Sequence, residues 1–376
     1  MVRNLLEAIK ANRSLLREPH TLNLRVAGTL AGPAIRGMVL RQGKRGDTTL
    51  VPTSHDVAFD WTYERARPDL QRLTRKARER QWDPDNALDW SVTLDPQDTR
   101  YDVLPDQLLF LREIPSYRRL DDREQRLHRY KLAGWMLSQF LHGEQGALFA
   151  ACQVTEGLSD MDARMYGATQ VADEGRHVDV FHRYIDKMEA RYAINDNLFV
   201  VLDALMRDGR WDLKFLGMQI LVEGLALGAF GVMRASTSEP LLRDMLAYVI
   251  RDEARHVHFG VAVLEQAYKQ MPEAERRMRE DWAYEMCVLI RNRFLAHELY
   301  EELYAHRMSV REWDDIVLKS DFLRRFRERM FKGIVPNLKR IGLLTDRVRR
   351  HYDALGLLEW EDAPAAPDVD EGGLLT

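Results

Sequence analysis

Cysteine is almost missing from these 376 residues: Cys152 and Cys287 are the two, far apart and in no Cys-x-x-Cys. That scarcity excludes a disulfide scaffold, a zinc ribbon and an iron–sulfur cluster, and it casts both residues as small buried apolar groups. No stretch approaches the roughly 18 unbroken apolar residues of a membrane span. The opening MVRNLLEAIKANRSLL lacks the apolar core and small-residue cleavage site of a signal peptide. A cytoplasmic protein with no membrane partner is therefore expected. An excess of one charge is lacking too: the net charge is −4, so no global field recruits nucleic acid. The basic run from Arg324 to Arg350 is interleaved with Phe326, Phe331, Ile334 and Leu338 and reads as a solvated helix face. Flavin and nicotinamide motifs are absent, as is strand-type alternation of any length.

What is present is a repeated acid–imidazole pattern. DEGRHVDV starts at Asp173 and DEARHVHF at Asp252, so each offers a Glu and, three positions on, a His: Glu174 with His177, and Glu253 with His256. Side chains three apart share one face of an α-helix, and each pair can grip one ion. Glu144 precedes Glu174 by 30 residues, and Glu223 precedes Glu253 by 30, the two copies being offset by 79. One Glu-x-x-His is commonly a solvated face; two, each with a partner Glu at the same distance, are hard to obtain by accident. Four carboxylates and two imidazoles from four helices are the ligand set of a carboxylate-bridged di-iron or di-manganese centre in a four-helix bundle.

The rest of the chain agrees with an all-α fold, a ferritin-like four-helix bundle with additional N- and C-terminal helices. Residues 1–120 read as an arm and helices packing on the core, with helices over 2–16 and 56–81, the latter bent near Pro68, and an irregular stretch between them. The bundle occupies 121–270, with helices near 122–155, 160–192, 212–234 and 240–268 and a crossover helix near 198–207. Further helices over 273–306, 309–318, 321–331 and 337–355 fill 271–362, and the Pro-, Gly- and acid-rich 363–376 reads as a disordered tail. Trp82 and Trp90 are read as packing residues.

Hard oxygen donors with one imidazole per ion suit iron or manganese over zinc or copper. Glu144 and His177 are expected on one ion with Glu174, Glu223 and His256 on the other with Glu253, some carboxylates bridging. Four Glu balance two divalent ions, as burial requires. Asp173 and Asp252 precede the ligand glutamates and are placed to hold the imidazole N–H groups in a crossed arrangement, Asp173 on His256 and Asp252 on His177. Arg176 and Arg255 are placed to neutralise those aspartates. Gly224, Gly228 and Gly231 interrupt one helix, each at about 0.5–1 kcal/mol relative to Ala. Either close helix contact or a substrate pocket walled by Leu148, Phe181, Leu227, Gly228 and Phe230 would offset them, and the pocket is the reading taken here.

The twin DE-x-RH motifs with their upstream glutamates resemble the ferritin-like di-iron carboxylate superfamily over residues 120–300, in particular bacterial multicomponent monooxygenase catalytic subunits and acyl-carrier-protein desaturases. QWDPDNALDWS, from Gln81, is similar to the lead-in of stand-alone di-iron oxygenases, including arylamine N-oxygenases. The resemblance implies that dioxygen is activated at a two-iron centre to hydroxylate, N-oxygenate, desaturate or cleave a small organic substrate, and that the chain forms a homodimer. It carries the ligand roles onto Glu144, Glu174, His177, Glu223, Glu253 and His256. Three departures matter. Phe181 stands where ribonucleotide reductase small subunits keep a radical tyrosine, and Leu227 where the monooxygenases carry a threonine. Val249 stands where arylamine N-oxygenases add a seventh ligand, a histidine, which counts against N-oxygenation on that template.

With no redox cofactor motif of its own, the chain is expected to draw electrons from a separate reductase. Two other classes compete: a ferroxidase or peroxide scavenger, and a metal-binding partner subunit without its own substrate. Iron-storage chains are little more than one bundle, and the extra helices here favour a shaped organic-substrate site.

Overall fold

The computed structural model describes residues 2–15, 19–44, 46, 48–106 and 109–369. Among them no strand occurs, and helices follow one another from α1 (Val2–Ala11) onward. α2 (Leu24–Ala34) lies within the stretch expected to be irregular. Asn23 caps it by accepting hydrogen bonds from the amides of Arg25 (3.0 Å) and Val26 (3.4 Å), a local signal that outweighs Gly28, Gly32 and Pro33. α3 (Pro68–Glu79) begins at the proline expected to bend it; residues 56–67 are not helical. Proline at the first helical position needs no amide partner and keeps Arg67 before it out of the helical region, at φ −114 and ψ 82. A single turn, α4 (Pro84–Ala87), follows.

The bundle itself is α5 (Asp122–Gly157), α6 (Met161–Met188), α9 (Glu223–Ser236) and α10 (Pro240–Lys269). α7 (Asp196–Arg207) and α8 (Trp211–Phe215) make the crossover between its halves. The three longest, α5, α6 and α10, start on the acidic caps Asp121, Asp160 and Glu239. At α5, Asp121 accepts from the Glu124 amide at 2.8 Å while Glu124 accepts from the Asp121 amide, a reciprocal capping box. At α10, Glu239 accepts from the amides of Leu241 and Leu242 and from the Tyr184 hydroxyl at 2.8 Å, which ties α10 to α6. α5 packs along α6, and α10 along α9. Between α8 and α9 the residues Leu216–Val222 widen into a π-helix. The run Trp211–Ser236 is long and apolar enough to cross a membrane, but its apolar window is 72% buried inside the protein, so it is the core helix of the bundle.

α11 (Glu273–Asn292) and α12 (His297–Leu303) replace one expected long helix, because Ala296 takes a left-handed backbone with φ +48 between them. α13 (Val310–Lys319) and α14 (Asp321–Phe331) follow. α15 (Val335–Arg340) and α16 (Asp346–Ala354) are likewise split, at Gly342 with φ +80. Past them, the tail expected to be disordered from Ala363 forms a turn at Ala366–Asp368 that packs on α10, with the Ala366 amide donating to Asn337 at 2.8 Å. Residues 370–376 of that expectation lie outside the described residues. Cys287 is buried in the core and Cys152 half-buried.

Candidate metal centre

The face of each bundle helix that turns inward is acidic where an ordinary core would be apolar. Glu144, Glu174, His177, Glu223, Glu253 and His256 are all buried. Glu144, Glu174, His177 and Glu253 bring one donor atom each within 4.8 Å of one another, and Glu174, Glu223 and His256 form a second such group. His177 Nδ1 lies 3.3 Å from Glu144 Oε2, 3.4 Å from Glu174 Oε2 and 2.9 Å from Glu253 Oε1. His256 Nδ1 lies 3.1 Å from Glu174 Oε1 and 3.6 Å from Glu253 Oε2. Glu174 and Glu253 thus turn one oxygen toward each imidazole, the arrangement of bridging carboxylates, while Glu144 and Glu223 belong to one group each.

Six of these buried donor atoms have no hydrogen-bond partner: Glu174 Oε2, His177 Nδ1, Glu223 Oε2, both oxygens of Glu253, and His256 Nδ1. Orphaned polar atoms are costly in a core, and here they converge. Donors about 2.1 Å from one ion and at right angles to each other sit roughly 3 Å apart, the separation seen around His177. The donor set therefore fits two hard cations.

The electrostatics agree. Burial first, and then Glu253, push the Glu144 carboxyl up to about 8, and burial with Glu174 and Glu253 drives Glu223 well above the usual range. Burial alone would pull His177 down, but Asp252, Glu144, Glu174 and Glu253 raise it well above its ordinary value. His256 is raised against the same burial, by Glu174 and Glu253 foremost. Without cations the cluster keeps protons that ions would displace.

The outer nitrogens are held in crossed fashion: His177 Nε2 faces Asp252 Oδ2 at 3.2 Å, and His256 Nε2 faces Asp173 Oδ2 at 3.3 Å. Arg255 donates to Asp252, and Arg176 donates to Asp173 and, at 3.1 Å, to Asp252. Three partners have no signature in the motif. Gln81 donates to Asp173 at 2.9 Å, and Trp82 Nε1, read from sequence as packing, donates to Asp252 at 2.8 Å. Gln170, one turn before Glu174, donates to Glu174 at 3.0 Å and to Glu223 at 3.2 Å. Only Gln170 could have been found from its spacing.

A narrow cleft with about 20 Å³ of free volume reaches Glu144, Glu223 and Glu253 between Phe140, Ala147, Ala226 and Phe230, with Arg293 on its wall. Of the expected pocket residues, Phe230 lines it. Phe181 stands behind, its ring centroid 5.6 Å from Phe230 and 6.1 Å from Phe140. Leu148 and Leu227 do not line it: each is one residue past a lining alanine and so about 100° around its helix. Gly228 is not a pocket residue at all. A Cβ there would lie 2.7 Å from Met330 Cα and 3.0 Å from the Arg329 carbonyl oxygen, and one at Gly224 would lie 3.2 Å from the Gly333 carbonyl oxygen. These glycines let α9 approach the 329–334 backbone, so helix contact, not a pocket, offsets their cost. A surface groove of about 700 Å³ is lined by charge pairs such as Lys44–Glu298 and Lys131–Glu302 and touches none of the six cluster residues.

Val249 is fully buried one turn before Glu253 and offers no donor atom, so His177 and His256 are the two imidazoles of the cluster. No curated protein sequence shows significant similarity to the chain. A family described as P-aminobenzoate N-oxygenase AurF matches residues 64–342, from the lead-in of α3 past the end of α15, and takes in all six converging side chains. Of the groups the motifs resemble, the match falls to the arylamine N-oxygenases, despite Val249. With its helical bundle and buried acid–imidazole cluster, the chain belongs to the P-aminobenzoate N-oxygenase AurF family, and is a di-iron oxygenase that uses dioxygen.

Proposed function

We propose that this oxygenase N-oxygenates a small arylamine, with Glu144, Glu174, His177, Glu223, Glu253 and His256 holding its two irons. The convergence of six buried side chains on one spot, five of them with partnerless donor atoms, supports the ligand assignment, and the family match over residues 64–342 supports the reaction class. The bound irons supply the redox chemistry that activates dioxygen. The chain's own part is positional. Asp252 and Asp173 keep a proton on the Nε2 atoms of His177 and His256, so that each Nδ1 presents its lone pair inward. Gln170 fixes Glu174 and Glu223 in one register. Phe140, Phe181 and Phe230 form an aromatic wall that keeps water from the cleft.

Inserting one oxygen atom of dioxygen into an amine consumes two electrons and two protons, and the second atom leaves as water. A separate one-electron carrier protein supplies those electrons. The homodimer implied by the resemblance draws support from the segment around Phe59 and Trp61, whose rings stack at 5.2 Å and remain 71% and 73% exposed. A monomeric mass in solution would remove that support.

The test is anaerobic loading with ferrous iron, then ¹⁸O₂, a chemical reductant and p-aminobenzoate or related arylamines, with products read by mass spectrometry. An arylhydroxylamine bearing one ¹⁸O is expected. Oxygen on ring carbon alone, or peroxide consumption with no oxidised arylamine in the panel, would sink the reading.

A further inference from the structure

Arg293 begins the single 3-10 turn after α11 and lines the cleft together with Glu144, Glu223 and Glu253. It is 5% exposed. Its guanidinium has no hydrogen bond or ion pair among the described residues and lies 5.0 Å from the ring centroid of Phe294. Burial alone pulls its pKa down to about 10, which leaves it charged at neutral pH. Two other buried arginines have carboxylates: Arg255 has Asp252 and Arg279 has Asp212. A buried, unpaired guanidinium on the wall of a functional cleft is therefore an exception that calls for an anion.

Charge bookkeeping points the same way. Four glutamates balance two divalent ions, and Asp173 and Asp252 balance Arg176 and Arg255. With neutral imidazoles, one positive charge is left over in the cleft, on Arg293. We infer that Arg293 anchors a carboxylate on the substrate, so that the enzyme takes acidic arylamines and discriminates against neutral ones. The planar guanidinium fork matches a carboxylate with two parallel hydrogen bonds. Apart from Gln139, whose amide is taken up by Ala193 and Asn195, the remaining walls, among them Phe140, Ala147, Ala226 and Phe230, are apolar and close together, which suits a flat ring better than a tetrahedral phosphate. The free volume of about 20 Å³ is too small for that ring until the walls part.

The amine in this inference rests on the N-oxygenation reading above; the acid group does not. The experiment is equilibrium binding to the iron-loaded enzyme, by calorimetry, of three probes: p-aminobenzoate, benzoate and aniline. The wild-type enzyme is expected to bind both acids at least 100-fold more tightly than aniline. Arg293→Met should weaken both acids at least 100-fold and leave aniline and iron content unchanged, while Arg293→Lys recovers part of the loss. Equal affinity of the wild-type enzyme for the acids and aniline would overturn the assignment, and so would acid binding undiminished in Arg293→Met. Should Arg293→Met fail to fold or to hold iron, the wild-type panel and Arg293→Lys still decide. If N-oxygenation is wrong but the anchor right, p-aminobenzoate yields no hydroxylamine while benzoate still binds through Arg293.

Discussion

Asp252 gathers four groups at once: His177 Nε2 at 3.2 Å, Trp82 Nε1 at 2.8 Å, and the guanidinium groups of Arg255 and Arg176. Burial raises its pKa and these donors more than reverse that, holding the carboxyl below the usual range. Its charge keeps the imidazole proton on the far side of the ring, so Asp252→Asn should lower iron affinity by about 10- to 100-fold, as loss of such an outer partner commonly does. Competition against a calibrated chelator measures this; wild-type affinity would mean that the aspartate merely fills space. The six ligand positions were legible in the sequence because helical spacing converts directly into a shared face. Two partners were not: Gln81 reaches Asp173 across 92 positions of chain and Trp82 reaches Asp252 across 170, both from a loop with no periodicity. Arg293 was illegible for a related reason: nothing in its neighbours marks it as partnerless until α11 is folded against the bundle.

Elements show the same division. Three of the bundle helices, α5, α6 and α10, were legible because each is long and acid-capped, and their ends fall within a few residues of the periodic pattern. The helix expected over 56–81 shrank to Pro68–Glu79 because proline belongs at a helix start. The glycine-rich α9 was read as a pocket wall, since spacing alone cannot tell what a bare helix face meets. What it meets is backbone. Gly228→Leu should therefore cost about 1–3 kcal/mol of stability by overpacking against Met330. A lowered melting temperature with iron content retained is the expected result. A variant that melts like the wild-type protein but loses substrate binding would restore the pocket reading.

At the scale of the whole molecule, the cluster makes stability depend on pH and on metal together. In the metal-free protein the folded state retains protons that the unfolded chain has released, at Glu144 between about 4.5 and about 8 and at His177 and His256 above 6.5. Stability falls with rising pH wherever the folded state binds more protons, so it should decline across this window. Glu174, whose carboxyl is lowered, acts in the opposite sense only below about 4.5, and His128, His142, His258 and His351, lowered by burial, do so only below about 6.5. Metal-free protein should thus melt at a lower temperature at pH 8.0 than at pH 6.5. Ferrous loading should raise both values and remove most of the difference, because ions then stand where the protons stood. A flat or rising metal-free profile would contradict the cluster's electrostatics.

The widened turns Leu216–Val222 run directly into Glu223, whereas Glu144 sits inside an uninterrupted α-helix. A π-helical insertion shifts everything beyond it by one residue's rotation, about 100°. The two halves of the chain share the same 30-residue interval yet aim their first glutamates by different means. Loss of a single residue between 216 and 222 would swing Glu223 away from its neighbours without disturbing any motif, so a homologue that kept every signature letter would still lack one of the six converging side chains.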